Sequence, residues 1–153
     1  SYRALHTPCH TNGHLCFVTD TPNPAVFCGD TLFIAGCGRF FEGTAADMHR
    51  SLNTTLASLP DECLVFCGHE YTVANLEFAK SVDPHNKSLH QKLEWARLQI
   101  ATDRHTVPST IGEEKKYNPF MRPHVPEIAA AVGKAGRGPD EVLDALRSAK
   151  NAF

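Results

Sequence analysis

No apolar run in this 153-residue chain approaches the roughly 20 residues of a membrane-spanning helix. No block of like charge occurs either. The formal net charge is −2 and neither sign is gathered in one place, which argues against a nucleic-acid or anionic-membrane partner. Six cysteines include no C-x-x-C pair, and their spacing resembles neither a zinc finger nor a disulfide scaffold. Several lie inside apolar runs such as Phe27-Cys28 and Val65-Phe66-Cys67, where thiols behave as small buried hydrophobes. The expectation is a reducing compartment, the cytosol, with a mitochondrial form left open. Repeats and low-complexity tracts are missing, and Ser1 to His6 does not read as a signal peptide. There is no initiator methionine, and strand-like residues run at once into a candidate metal motif, as in a chain that begins inside a domain. Hydrophobic residues make up 42%, enough for one domain with a real core.

Strands come first and helices follow. Leu15-Cys16-Phe17-Val18 and Ala25-Val26-Phe27-Cys28 are short β-favouring runs around a Pro22-Asn23-Pro24 turn, and they predict an antiparallel hairpin. A glycine-rich loop follows from Gly36 to Gly43. Thr44 and Asp47 imitate a capping box, and Met48, Leu52 and Leu56 then recur on one helical face. Cys63 to Cys67 reads as a buried strand and Thr72 to Lys80 as a helix. Asn86 is placed to cap a helix with Leu89, Leu93, Ala96 and Ile100 on one stripe. Pro108 and Tyr117-Asn118-Pro119-Phe120 mark an extended stretch. Pro139 suits the first turn of a last helix, with Val142, Leu146 and Ala149 inward. Gly133 to Gly138 is the loosest segment. These periodicities predict an α/β architecture with the later helices as a largely separate layer.

Three places pair a metal-competent side chain with tight backbone: Thr7-Pro8-Cys9-His10-Thr11-Asn12-Gly13-His14, Gly29-Asp30-Thr31-Leu32-Phe33 and Cys67-Gly68-His69-Glu70-Tyr71. Each lies at the end of a strand-like run, where a sheet can bring distant residues to one point. Two imidazoles and a carboxylate suit zinc or a similar divalent ion, and a carboxylate can bridge two ions. Taken singly, each has a blander reading: a lone histidine is more often packed or capping than a ligand, and Gly-Asp-Thr is a common turn. That reading is kept for His49, His85, His90, His105 and His124. His6 and His14 flank a motif and could act behind a ligand.

In this order and spacing, T-P-C-H-T-x-G-H, G-D-T-L-F, A-G-C-G-R-F-F-E-G-T and C-G-H-E-Y-T resemble the metallo-β-lactamase superfamily, and specifically its glyoxalase II (hydroxyacylglutathione hydrolase) family. Asn75 to Ala79, Val107 to Glu114 and Tyr117 to Arg122 extend the resemblance over nearly the whole chain. It implies the C-terminal part of an αββα sandwich followed by a helical C-terminal region. Residues 1–82 would be the second half of the sandwich domain and 83–153 a substrate-binding region. It also implies two divalent metal ions, zinc first, with iron or manganese as alternatives. His10 would ligate one and His69 the other, with Asp30 bridging them as the catalytic carboxylate. The implied reaction converts S-(2-hydroxyacyl)glutathione and water to glutathione and a 2-hydroxy acid such as D-lactate. Arg39, Phe41, Tyr71, Arg147 and Lys150 match the family's glutathione-binding places. Phe41 stands where the family usually has tyrosine, so a hydroxyl contact is lost. The implied partner is a small-molecule glutathione thioester, with no nucleic acid or membrane, and the protein would be a monomer.

One departure is large. The family's T-H-x-H-x-D-H motif, which supplies four further ligands, occurs nowhere in the chain. An incomplete metal centre, unpaired strand edges, an uncovered core face and poor activity of the chain alone are the expectations. A non-catalytic relative acting as a binding or regulatory module is the alternative, and an iron-dependent persulfide dioxygenase matches the second-half motifs less well.

Overall fold

The computed structural model of the protein describes residues 1–153. Its strands are β1 (Tyr2–His6), β2 (Leu15–Thr19), β3 (Ala25–Gly29), β4 (Leu32–Phe33), β5 (Gly36–Cys37), β6 (Leu64–Cys67) and β7 (Ser109–Thr110). Five form one sheet in the order β1-β2-β3-β6-β7, and β4 and β5 form a separate hairpin. The expected hairpin across Pro22 to Pro24 is β2–β3, with Phe17 opposite Phe27. β1 pairs antiparallel with β2, and β6 lies parallel to β3. So β1, β3 and β6 all run the same way, and their C-terminal ends share one edge of the sheet.

The helices are α1 (Ala45–His49), α2 (Thr72–Val82), α3 (Lys87–Ala101), α4 (Ile111–Tyr117), α5 (Pro126–Ala131) and α6 (Pro139–Ala152). The Thr44–Asp47 capping box forms in both directions. Beyond α1 the helical path widens to π-type bonding over Arg50–Thr55 and tightens to a 3-10 turn at Leu56–Ser58. Met48, Leu52 and Leu56 are nonetheless all fully buried, because the change of pitch keeps one face inward. Asn86 caps α3 by accepting from the Leu89 amide at 3.1 Å, and Pro139 opens α6.

Three expectations need correction. Ile100 is 54% exposed: the inward stripe of α3 stops at Ala96, because the helix outruns the surface it packs on. The stretch from Pro108 to Phe120 is mostly not extended. Thr110 forms a second capping box with Glu113 and starts α4, and Asn118 caps a 3-10 turn at Pro119–Met121. Finally, the C-terminal helices are not a separate layer. One core cluster joins Val18, Val26 and Val65 of the sheet to Leu52 of the first helical segment, Ile128 of α5 and Leu143 and Leu146 of α6. A smaller cluster joins the β4–β5 hairpin at Ile34 and Ala35 to Leu76 of α2 and Leu89 of α3.

Alternation divides the large sheet into two unlike faces. Cys16, Val18, Val26, Cys28 and Val65 point into the core and are buried. On the other face Leu15, Phe17 and Phe27 are each close to half exposed. Register sets Ala4, Phe17, Phe27 and Phe66 in one row across four strands, and the Phe27 and Phe66 rings stack at 5.3 Å. This is the uncovered apolar face expected above, and β1 is an open edge. No helix is long and apolar enough to cross a membrane.

Candidate metal and substrate site

His10, Asp30 and His69 follow β1, β3 and β6, so the shared strand direction delivers all three to the same edge of the sheet. His10 Nε2 lies 3.4 Å from Asp30 Oδ2, and His69 Nε2 lies 3.5 Å from Asp30 Oδ1. Each imidazole therefore faces a different oxygen of one carboxylate. Two ligands of a tetrahedral ion, each about 2 Å from it, stand roughly 3.3 Å apart. Both pairs fit that spacing, so the donor set suits a divalent metal ion. Nowhere do three or more His, Cys, Asp or Glu side chains gather to hold an ion as a closed site would.

The backbone makes this approach possible. Gly29 turns the chain at φ +48° just before Asp30, a region that favours glycine. A Cβ on Gly68 would fall 2.5 Å from Asp30 Oδ1, and one on Gly38 would fall 2.0 Å from the Asp30 carbonyl oxygen. Gly38 faces backbone and must lack a side chain, whereas at Gly68 the added carbon would push against the Asp30 carboxylate itself. His10 Nδ1 donates to the Arg39 carbonyl at 3.0 Å, which leaves Nε2 as the lone-pair nitrogen facing Asp30. His69 is stacked on Tyr71 at 5.0 Å, and Phe33 meets the Tyr71 ring edge-on at 5.2 Å. Glu70, between them, accepts from the Thr106 amide at 2.9 Å, which ties the metal side to the loop before β7.

His14 sits behind the carboxylate. Its Nδ1 lies 3.1 Å from Thr7 Oγ1 and 3.0 Å from Thr31 Oγ1. Burial, and then His10, hold its pKa below the usual histidine value against the pull of Asp30, so it is a neutral packing group here. His6 bonds to the Asn12 carbonyl at 2.8 Å on the surface. His49, His90 and His105 face Asn53, the Pro84 carbonyl and Glu70 respectively, in keeping with their blander reading.

A cleft of about 490 Å³ opens from the carboxylate toward α6. Arg39, Phe41, Tyr71, Arg147 and Lys150 line it together with His10, Asp30 and His69. The structure thus brings together every site residue singled out from the sequence. Their surroundings differ. Phe41 is 67% exposed, with its ring 5.0 Å from His10. Arg147 is buried: Nη1 donates to the Cys37 carbonyl at 2.7 Å and Nε to Asn151 at 3.0 Å. Much of its fork is committed to the protein, so Lys150 is the freer cation. Burial, then Arg147 and Arg39, lower the Lys150 pKa from the ordinary lysine value. All six cysteines are free. Burial pushes the Cys37 thiol up to about 12 despite the adjacent Arg147, so the thiol lining the cleft is no nucleophile at neutral pH.

Sequence reasoning missed Asn75, which lines the cleft, and Glu114 and Asn118 behind it. All three lay inside segments that matched the family, but nothing in those segments marked them as anchors of the site. Their partners lie about 40 to 85 positions away, a separation no local pattern reveals.

The family described as hydroxyacylglutathione hydrolase C-terminus matches residues 70–153, and the metallo-beta-lactamase superfamily matches residues 1–69. An Arabidopsis thaliana protein named hydroxyacylglutathione hydrolase cytoplasmic is 53% identical over 98% of this chain and 58% of its own length. A Gallus gallus hydroxyacylglutathione hydrolase-like protein is 50% identical over 99% of this chain and 54% of its own length. Among solved structures, ETHE1 from Myxococcus xanthus superposes with a TM-score of 0.56 at 25% identity, covering 96% of this chain and 44% of that one. The chain therefore spans just over half the length of these two curated relatives. The αββα-type sheet and helices, the ligand-bearing strand ends and these matches agree: the chain belongs to the hydroxyacylglutathione hydrolase family of the metallo-β-lactamase superfamily.

Proposed function

We propose that this chain is the metal-bridging and glutathione-binding part of a thioester hydrolase that converts S-(2-hydroxyacyl)glutathione to glutathione and a 2-hydroxy acid, D-lactate in the simplest case. The observation that carries this reading is the single carboxylate of Asp30 with one imidazole Nε2 about 3.5 Å from each of its oxygens. Residues 1–82 supply the metal side and, through Arg39, Phe41 and Tyr71, part of the wall that binds glutathione, to which residues 83–153 add Arg147 and Lys150. Two divalent ions, zinc first and iron or manganese as alternatives, would be held by His10 and Asp30 on one side and by His69 and Asp30 on the other. When bound, such ions supply Lewis-acid chemistry at the thioester carbonyl. The chain's own residues do the rest. Arg39 fixes the His10 tautomer through its carbonyl, Tyr71 holds His69 by stacking while Phe33 meets Tyr71 edge-on, and Lys150 with the free side of Arg147 meets the glycine carboxylate of glutathione. Phe41 offers an apolar surface beside His10 but no hydroxyl. Free, buried cysteines and the name of the Arabidopsis relative support a cytoplasmic setting, and the protein is read as a monomer.

Three ligands for two ions leave each ion short of a tetrahedral set, and the remaining ligands would come from outside these residues. The absence of any three-ligand cluster is what favours the second reading, a non-catalytic binding or regulatory module. Metal analysis and an assay of thiol release from S-D-lactoylglutathione separate the two. Each is run on the 153-residue chain and on a form extended upstream by its natural coding sequence. The enzyme reading expects little metal and little hydrolysis in the first, and about two ions with chelator-sensitive turnover in the second. An extended form that binds glutathione but no metal would establish the module instead.

A further inference from the structure

We propose that Glu114 is a positioning residue: with Asn75 and Asn118 it clamps the β4–β5 hairpin in the shape that the glutathione-binding wall of the cleft requires. The inference rests on the hydrolase reading above for its kinetic test, but not for its structural one.

The tip of the hairpin is held by side chains rather than by its own ladder. The Ala35 amide donates to Glu114 Oε2 at 2.9 Å. Asn118 Nδ2 donates to the Phe33 and Gly36 carbonyls at 3.2 and 3.1 Å, and to Glu114 Oε2 at 2.9 Å. Asn75 Nδ2 donates to the Ile34 carbonyl at 3.1 Å. Four consecutive residues thus have a main-chain group gripped from α2, from α4 and from the cap of α4. Ser109 and Tyr117 hydroxyls donate to the other Glu114 oxygen at 2.7 and 3.1 Å. Four donors converge on one fully buried carboxyl group; burial pushes its pKa up to about 7 against the pull of these hydrogen bonds, and its ionised form offers lone pairs to all four.

The clamp opposes strain. Ala35 sits at φ +56°, a left-handed conformation that a residue with a Cβ adopts only when its surroundings enforce it. What is enforced reaches the cleft on both sides of Ala35. Two residues before it, Phe33 sets the Tyr71 ring. Two residues after it, the Cys37 carbonyl receives Arg147. The metal-facing residues His10, Asp30 and His69 lie on the strand ends, outside the hairpin. Loosening the clamp should therefore disturb the substrate wall and spare the metals.

The test uses the full-length, metal-loaded protein and two variants, Glu114→Gln and Asn75→Ser. The glutamine puts an NH₂ against converging donors, and the serine removes one grip from α2 without touching the carboxylate, so one informative variant survives if the other does not fold. KM and kcat for S-D-lactoylglutathione, bound metal, glutathione binding by calorimetry and residue-resolved amide exchange are measured. For Glu114→Gln we expect KM to rise about tenfold with kcat within about threefold, metal content unchanged, and the Ala35 amide exchanging faster while β2 and β3 stay protected. Asn75→Ser should show the same split, smaller. An unchanged KM, lost metal, or exchange that accelerates uniformly would overturn the proposal. If the parent protein cleaves no thioester, the hydrolase reading fails by itself, and glutathione affinity with Ala35 exchange still decides the role of Glu114.

Discussion

The two walls of the cleft are built by different means. The wall proposed to hold the metals is made of strand ends, and its precision comes from the main chain. His10, Asp30 and His69 converge because three strands run the same way, and because Gly29, Gly38 and Gly68 let backbone and carboxylate approach. The wall proposed to bind glutathione is made of helix α6 and the β4–β5 hairpin, and its precision comes from buried side chains: Arg147 on the Cys37 carbonyl, and Glu114 and Asn118 on the hairpin tip. A wall set by backbone geometry fails abruptly when a side chain is added. A wall set by side-chain bonds fails by degrees as bonds are removed. In a hydrolase the first should govern turnover and the second substrate affinity.

The largest expected effect tests the metal wall. In the upstream-extended form, Asp30→Ala removes the only group shared by both imidazoles, and turnover should fall by at least about a thousandfold with loss of bound metal. Kinetics together with metal analysis would check it, and retained metal with retained turnover would show that the carboxylate does not bridge. Next is Gly38→Ala, whose Cβ would lie 2.0 Å from the Asp30 carbonyl and 3.0 Å from His10 Nδ1. A cost of about 1–3 kcal/mol in urea unfolding, with weaker metal uptake, is expected. Gly13→Ala, with nothing within 4 Å of the added carbon, serves as the neutral comparison. If the two alanines behave alike, close backbone approach is not what holds this wall.

The other wall should respond more gently. Arg147→Ala with Lys150→Ala should raise KM about tenfold or somewhat more while kcat changes little, the pattern of lost uniform binding. A fall confined to kcat would move these cations to the reacting end of the substrate. The smallest effect is one of pH. Burial and two guanidinium neighbours favour the uncharged form of Lys150, so its proton is lost below the ordinary lysine value of 10.5. The charge proposed to meet a carboxylate is therefore present at neutral pH and disappears early as pH rises. KM should climb on the alkaline side before ordinary lysines titrate, and Lys150→Arg should flatten that climb, since arginine keeps its proton. Identical profiles for the two would show that Lys150 does not face the substrate.

The same contrast explains what the sequence could disclose. Strand ends next to glycine are local features, so His10, Asp30 and His69 could be singled out from short motifs, as could the Thr44–Asp47 and Asn86 caps. The clamp on the hairpin could not. Glu114 lies in a stretch whose prolines suggest extended chain, and only folding brings to it the Ala35 amide from which it accepts. The second capping box, Thr110 with Glu113, was hidden by prolines on either side that suggest extended chain, although seven residues between them suffice for α4. Ile100 fails for the opposite reason. The periodicity of α3 is real, but the surface it packs against ends before the helix does.

The row of Ala4, Phe17, Phe27 and Phe66 gives the molecule a wetting asymmetry. One side of its main sheet is saturated by its own core, while the other holds water against aromatic carbon that gains free energy from any dry contact. In solution such a body behaves as a weak amphiphile. Such a face is expected to adsorb at air–water and resin interfaces, to associate weakly at high concentration and to bind dyes that fluoresce in oil. Laying a second protein layer over that face would remove all three habits at once, so dye fluorescence and light scattering report whether the sheet is covered without any reference to catalysis.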